Sequence, residues 1–388
     1  MDFREPAHWA DIRAEAQQFV ADHVTHEMIA EELKTGDGVS RPLMRALGNR
    51  GWIVPTWPKD EGGAGLDAFD ASVLMSTIRA SGAPTIGPGT TTLPANAIRT
   101  LGSAELQAAI LPDVAAGETL ICLGYTEPEG GSDIFACKTR AERDGDQWRI
   151  NGQKMFTTFA HRADYCFLLT RTDPQSVGPA GLTMFLVPMA TAGIEFQAVR
   201  TLGYERTNIV YYSDVWVDDS FRIGEADGGL AVIRAALEAE QNVAPTSRTS
   251  QLAEAATRWA STTRTSDGRL VIDDPLHRQR LARLAIDAEV TELLGLRTAY
   301  IDQLGGKPGP LAALFGPETY VSWASEMLDM VGPDGLVPWT EPDAALDGAF
   351  EYHYRSAVAT TIYGGTSEVL RSLIAEQRLG LPRSRPKH

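Results

Sequence analysis

The hydrophobic period of this chain changes twice, and those two changes confine it to a three-part α+β architecture. Up to about residue 118 the apolar residues recur at helical spacing, beginning with Trp9, Ile12, Ala16, Phe19 and Val20. Residues 55–65, dense in Pro and Gly, cannot sustain a ladder and read as an irregular loop. Helices are expected again near 66–82, 92–101 and 103–116. From about 119 to 225 the period becomes that of strands. Segments 165–170, 182–187 and 209–217 are rich in β-branched and aromatic residues and bounded by Pro, Gly or Asp. Residues 148–150 and 154–156 flank Asn151, Gly152 and Gln153, and an Asn-Gly pair supplies the positive φ angles of a tight hairpin. From Gly228 onward helical spacing returns, with long segments near 229–263, 276–305, 309–331 and 344–379, enough for a four-helix bundle. The expected domains are therefore a helical one over 1–118, a compact antiparallel β domain over 119–225 and a helical bundle over 226–388.

Composition narrows the function classes. A chain of 388 residues, 43% hydrophobic, can bury a large core. Its formal net charge of −16 argues against nucleic acid or an anionic membrane as partner, since both call for basic patches. Cys122, Cys137 and Cys166 lack CxxC spacing and a nearby histidine pair, so they read as reduced thiols in a cytoplasmic protein, with no metal site. The N-terminus has no basic stretch followed by an apolar run, and no window approaches a membrane-spanning length. Walker A, HExxH, G-x-S-x-G and strand-linked G-x-G-x-x-G motifs are all missing, which excludes the common scaffolds for nucleotides, zinc proteolysis, acyl-serine chemistry and nicotinamide cofactors.

Four stretches carry a family resemblance. They are Gly124-Tyr125-Thr126-Glu127-Pro128-Glu129-Gly130-Gly131-Ser132-Asp133; Asn151-Gly152-Gln153-Lys154-Met155-Phe156-Thr157-Thr158 followed by Ala163-Asp164; the strand-like run from Gly203 to Val217; and the run from Arg355 to Ile374 containing Ile362-Tyr363-Gly364-Gly365-Thr366-Ser367-Glu368. Each alone is weak. In this order over nearly the whole chain, they resemble the acyl-CoA dehydrogenases. The resemblance implies an FAD enzyme that dehydrogenates an acyl-CoA thioester between Cα and Cβ and passes electrons to an electron-transfer flavoprotein. It assigns flavin contacts to Tyr125, Thr126, Gly131, Ser132, Phe156, Thr157, Thr158, Thr366 and Glu368. The substrate would meet Ser132, Leu237, Gln241, Tyr363 and Gly365.

The resemblance also exposes a missing catalyst, because Gly364 stands where most of the family carries the glutamate that removes the α-proton. Gly364 keeps the backbone N–H that, in the family, helps polarise the thioester carbonyl. Some members place the base on the first long helix of the bundle instead, which here points to Glu240. Helical geometry agrees: at about 100° per residue, Leu230, Ile233, Leu237, Glu240 and Ala244 share a stripe about 80° wide, and Glu238 lies about 160° from Glu240. An acid on a buried stripe is costly unless paired or functional, and burial raises its pKa toward that of a useful base. Glu240 and Gly364 are thus the expected catalytic pair.

Three departures bear on assembly. Gln241 replaces a usual arginine; residues 264–270 lack the Arg-x-x-Phe-Gly that grips a neighbour's FAD pyrophosphate; and Asp329 and Pro333 replace groups that would favour that anion. A bacterial subgroup of the family, acting in steroid side-chain β-oxidation, has similar traits and forms heterotetramers of two related chains. The expectation is a chain that supplies the base and flavin-ring contacts and relies on a homologous partner chain, in a heterotetramer or else a homo-oligomer. A non-catalytic partner subunit is the competing reading, disfavoured because such a subunit should retain the pyrophosphate segments. A nitroalkane-oxidase-like relative would replace the glutamate with another acid, which Gly364 is not.

Overall fold

The computed structural model describes residues 5–382 apart from 242–246, 305, 307 and 308, with backbone alone for 237–241, 247, 302 and 303. The chain divides into two compact units, one running to Ala71 and joined by Ser81–Glu240, the other made of Ser72–Ala80 and the residues from Gln241.

The chain opens with six helices: α1 (His8–His23), α2 (His26–Thr35), α3 (Arg41–Gly48), α4 (Ala68–Ala80), α5 (Ile86–Leu101) and α6 (Ala104–Ala115). Thr25, Ser40 and Ser103 start α2, α3 and α6 by accepting a backbone N–H from the first turn. Helix α5 starts before the expected residue 92, because Pro88 lies in its first turn, where the missing N–H would have had no helical partner. Residues 55–65 are irregular except for a short 3₁₀ turn, Lys59–Glu61.

Eight strands follow: β1 (Ile121–Gly124), β2 (Arg140–Asp144), β3 (Gln147–Lys154), β4 (Tyr165–Arg171), β5 (Leu182–Pro188), β6 (Ile194–Arg200), β7 (Arg206–Asp218) and β8 (Arg222–Ile223). They form one sheet in the order β6-β7-β3-β2-β4-β5-β8, with β1 on β4. Two expectations need correction. The sheet is not purely antiparallel, since β4 pairs in parallel with both β1 and β2. Nor is Asn151-Gly152 a hairpin turn. The hairpin closes between β2 and β3 at Gly145, while Asn151 and Gly152 lie within β3, at a register shift against β7. A Cβ on Gly152 would lie 2.6 Å from the Thr139 hydroxyl, so the glycine serves close packing. Asn151 meanwhile uses its side chain on Asp214 of β7.

Helix α7 (Gly229–Gln241) begins where only glycine fits, since a Cβ at Gly229 would stand 2.7 Å from the Leu182 carbonyl of β5. It buries Val232, Ile233 and Ala236.

The second unit holds α8 (Ser247–Thr262), α9 (Pro275–Gln303), α10 (Leu311–Val331), α11 (Ala349–Ala357) and α12 (Ser367–Gln377). Leu252, Trp259, Leu284, Tyr320, Met327 and Phe350 form its core. The expected segment 344–379 is two helices, interrupted by Gly364 and Gly365 at φ 68° and 101°. The expected 229–263 resolves into α7 and α8, and Ala244 of the anticipated stripe lies outside the described residues. No described helix is long and apolar enough to cross a membrane.

Candidate active site

Two loops of the first unit are tied into one platform by a buried ion pair. Along β3, Trp148, Ile150 and Lys154 are buried. A lysine directed inward must find a carboxylate, and Lys154 Nζ, fully buried, lies 2.7 Å from Glu127 Oε1. Nζ also donates to the Tyr125 carbonyl at 3.2 Å. Glu127 further accepts the backbone N–H groups of Lys138 and Thr139, at 2.7 and 2.9 Å. Burial would raise the Glu127 pKa, but the Lys154 charge and these hydrogen bonds outweigh it and hold the carboxyl at about 2. A backbone bond from Met155 N–H to the Thr126 carbonyl, 2.8 Å, completes the tie. Tyr125 and Thr126 after β1 are thereby fixed beside Phe156, Thr157 and Thr158 after β3. Neither Glu127 nor Lys154 was singled out from sequence as a site residue, although a lysine on the inward side of a strand was the available signal.

The platform presents an aromatic ring outward. Phe156 is 55% exposed at φ 58°, a backbone region that costs an L-residue on the order of 1 kcal/mol, while Thr157 and Phe159, which follow it, are fully buried. Among the described residues the Thr126 and Thr158 hydroxyls have no hydrogen-bond partner. A Cβ on Gly131 would meet only Thr126 Cγ2, at 3.9 Å. An exposed ring, two uncommitted hydroxyls and a glycine open to close approach fit a planar, hydrogen-bonding group such as the flavin ring of FAD. Ser132 is exposed on the same loop, and Asp133 is committed to capping the turn at Phe135.

In the second unit, Ile362 and Tyr363 donate their N–H groups to the Ala359 carbonyl at 3.0 and 3.2 Å. The exposed Gly364 N–H has no acceptor among the described residues. The chain then turns through Gly365 into Thr366, whose hydroxyl accepts Val369 N–H at 3.3 Å and caps α12. Glu368 in the first turn of α12 has its pKa lowered by its own backbone N–H and by the Thr366 hydroxyl. A cavity of about 370 Å³ opens here, lined by Glu318, Ile362, Thr366, Glu368 and Arg371 among others, with Arg371 paired to Glu318 at 2.6 Å.

Leu237, Glu240 and Gln241 are on α7, with their side chains outside the described residues. Position 240 follows Ile233 by seven residues and Ala236 by four, which puts it on the face of α7 that those residues bury. The segments that depart from the usual pyrophosphate grip have other partners. Residues 264–270 close a turn in which Arg264 and Leu270 bridge and Asp267 pairs with Arg269 at 2.7 Å. Asp329 lies 3.2 Å from Arg280, which also holds Glu326 at 2.7 Å.

Comparison with known proteins agrees over the whole length. The N-terminal, middle and C-terminal domains of acyl-CoA dehydrogenase match residues 7–118, 122–215 and 227–379. The chain is 32% identical to acyl-CoA dehydrogenase FadE26 of Mycobacterium tuberculosis, over 96% of this chain and 97% of that protein. A chain of the ChsE4-ChsE5 complex from Mycobacterium tuberculosis superposes with a TM-score of 0.90 at 30% identity, covering 99% of this chain and all 100% of that one. A chain of the Tcur3481-Tcur3483 steroid ACAD gives 0.89 at 31%, with coverage of 99% and 100%.

Proposed function

The chain belongs to the acyl-CoA dehydrogenase family, and from that premise we propose that it desaturates an acyl-CoA thioester with Glu240 as the base. The family makes it an oxidoreductase of acyl-CoA. The observation that carries the proposal is the glycine turn before α12, where Gly364 has no side chain and its N–H has no acceptor among the described residues. That N–H would donate to the thioester carbonyl oxygen as charge develops on it, and Glu240 would take the proton from Cα. Bound FAD supplies the hydride acceptor for the Cβ hydrogen. Tyr125, Thr126, Phe156 and Thr158 would hold the flavin ring, with Gly131 and Ser132 on the flanking loop. Tyr363 and Gly365, with Leu237 and Gln241, would bound the acyl group. The position of residue 240 on the same face of α7 as Ile233 and Ala236 supports this reading.

A bulky steroid-derived thioester is the proposed substrate class, by similarity to the steroid ACAD, and an electron-transfer flavoprotein is the proposed acceptor in the cytoplasm. A homologous partner chain is proposed to complete the ADP end of the flavin site, as the acids at 267 and 329 neutralise the arginines that could attract a pyrophosphate. We retain 1–118, 119–225 and 226–388 as the proposed domains. Anaerobic titration with acyl-CoA thioesters, alone and with the partner chain, tests the assignment. Wild type should bleach its flavin absorbance. Glu240→Gln should keep FAD and lose bleaching by at least about 100-fold in rate, the span of a general base. Substantial bleaching by Glu240→Gln would remove Glu240 from the role.

A further inference from the structure

Behind the exposed Phe156 runs a polar chain that the proposed reaction does not use. Asn208 of β7 is fully buried and grips Thr157 from two sides. Its carbonyl accepts the Thr157 N–H at 3.0 Å, and its side-chain Nδ2 donates to the Thr157 carbonyl at 3.0 Å. The second Nδ2 hydrogen points to His161 Nδ1 at 3.4 Å, and His161 Nε2 lies 3.0 Å from Asp37 Oδ1. Asp37 also pairs with Arg162 at 3.2 Å. The loop held this way carries two residues, Phe156 and Phe159, at φ 58° and 47°, so it keeps its shape only while outside contacts impose it.

We propose that Asn208, His161 and Asp37 are positioning residues that lock the Phe156–Thr158 loop, and that a proton on His161 opens the lock. The two acceptors around Asn208 fix its amide: Nδ2 must face both the Thr157 carbonyl and His161 Nδ1. This requires Nδ1 to carry a lone pair, so the imidazole is neutral with its proton on Nε2, donated to Asp37. A second proton on Nδ1 sets N–H against N–H. Flipping the amide relieves that clash but turns Oδ1 onto the Thr157 carbonyl. Either way the loop loses a bond that holds its strained backbone.

Burial lowers the His161 pKa from its usual value, and the nearby Arg206 and Arg162 charges add to this, while Asp37 opposes it. Glu32 lies close enough to Asp37 and to Glu205 to feel both charges. With the folded pKa below the unfolded one, the lock is intact at neutral pH and is lost as pH falls through that lowered folded pKa.

The bearing of this lock on flavin rests on the function proposed above, whereas the lock itself does not. The test places 4-fluorophenylalanine at position 156 of the full chain and follows its ¹⁹F resonance from pH 8 to 5, with and without FAD. Alongside, the His161 imidazole is titrated by ¹H–¹⁵N NMR. The resonance should move with the His161 midpoint in wild type and in Glu32→Gln, and the transition should vanish in His161→Gln. Asn208→Ala should show the low-pH resonance already at pH 8 with unchanged circular dichroism. A transition that survives His161→Gln, or His161 titrating while the resonance stays still, overturns the lock. If the resonance follows His161 but ignores added FAD, the lock stands and the assignment of this loop to the flavin fails.

Discussion

Lys154 and Glu127 show how much of a candidate active site can rest on a pair that touches no ligand. Their contact joins two loops distant in sequence, so replacing the lysine leaves a buried carboxylate with two backbone N–H donors and the Cys137 thiol but no cation. Lys154→Met should cost on the order of 3 kcal/mol by urea denaturation and weaken FAD retention with it. Glu127→Gln, which keeps an acceptor for the Thr139 N–H, should cost less. A second carboxyl behaves oppositely. Burial raises the Glu32 pKa to about 7, with Asp37 and Glu205 adding to it and the Gly38 N–H, at 2.8 Å, opposing it. A raised folded pKa means stability present below the unfolded value and lost as pH rises through about 7. Glu32→Gln should therefore raise the melting temperature at pH 8 and leave it nearly unchanged at pH 4. An equal gain at both pH values would show that ionisation is not the cause.

At the scale of elements, the turn between Thr361 and α12 is where glycine matters most. Gly364 at φ 68° sits in a region an L-residue enters only at a cost. Gly364→Ala should lose about 1 kcal/mol and shift the N–H from its place, lowering the rate of flavin bleaching more than the affinity for acyl-CoA. An unchanged rate would detach this N–H from the chemistry. The strands near 165, 182 and 209 and the helices near 103 and 309 were legible because long apolar periods leave one choice of face. Asn151-Gly152 was not legible, since the same two letters serve a turn or a bulge and only the close approach of Thr139 decides between them. The extra turns of α5 were hidden by Pro88, which breaks a helix interior but not a first turn. Of the site, the Thr126 and Phe156 loops could be located from their motifs. The ion pair that joins them, and the Asn208–His161–Asp37 chain behind them, depend on contacts between residues 27 to 124 apart in sequence, which no local pattern encodes.

For the whole molecule, the question is whether one chain suffices. Helix α9 carries Ile286 and Leu293 seven residues apart, exposed by 62% and 41%, and Leu304, just past its end and eleven residues beyond Leu293, continues the row at 68%. Seven-residue spacing keeps such a stripe on one side of a helix, the arrangement that packs against another helix. In the same unit, Arg280 is held between Glu326 and Asp329, and Arg269 is turned onto Asp267. Cations that could attract a pyrophosphate there are neutralised by these acids, whereas an apolar stripe is left open to association. A chain built this way should hold the flavin ring yet grip its ADP end poorly. Purified alone, it should carry less than one FAD per chain; co-expressed with its homologous partner, it should elute as a hetero-oligomer with raised flavin content. Leu293→Glu, which puts a charge in the middle of the stripe, should abolish co-elution in light-scattering chromatography without lowering the helicity of the isolated chain. Full FAD occupancy in an oligomer of this chain alone would overturn the need for a partner, and a hetero-oligomer unaffected by Leu293→Glu would move the interface away from α9.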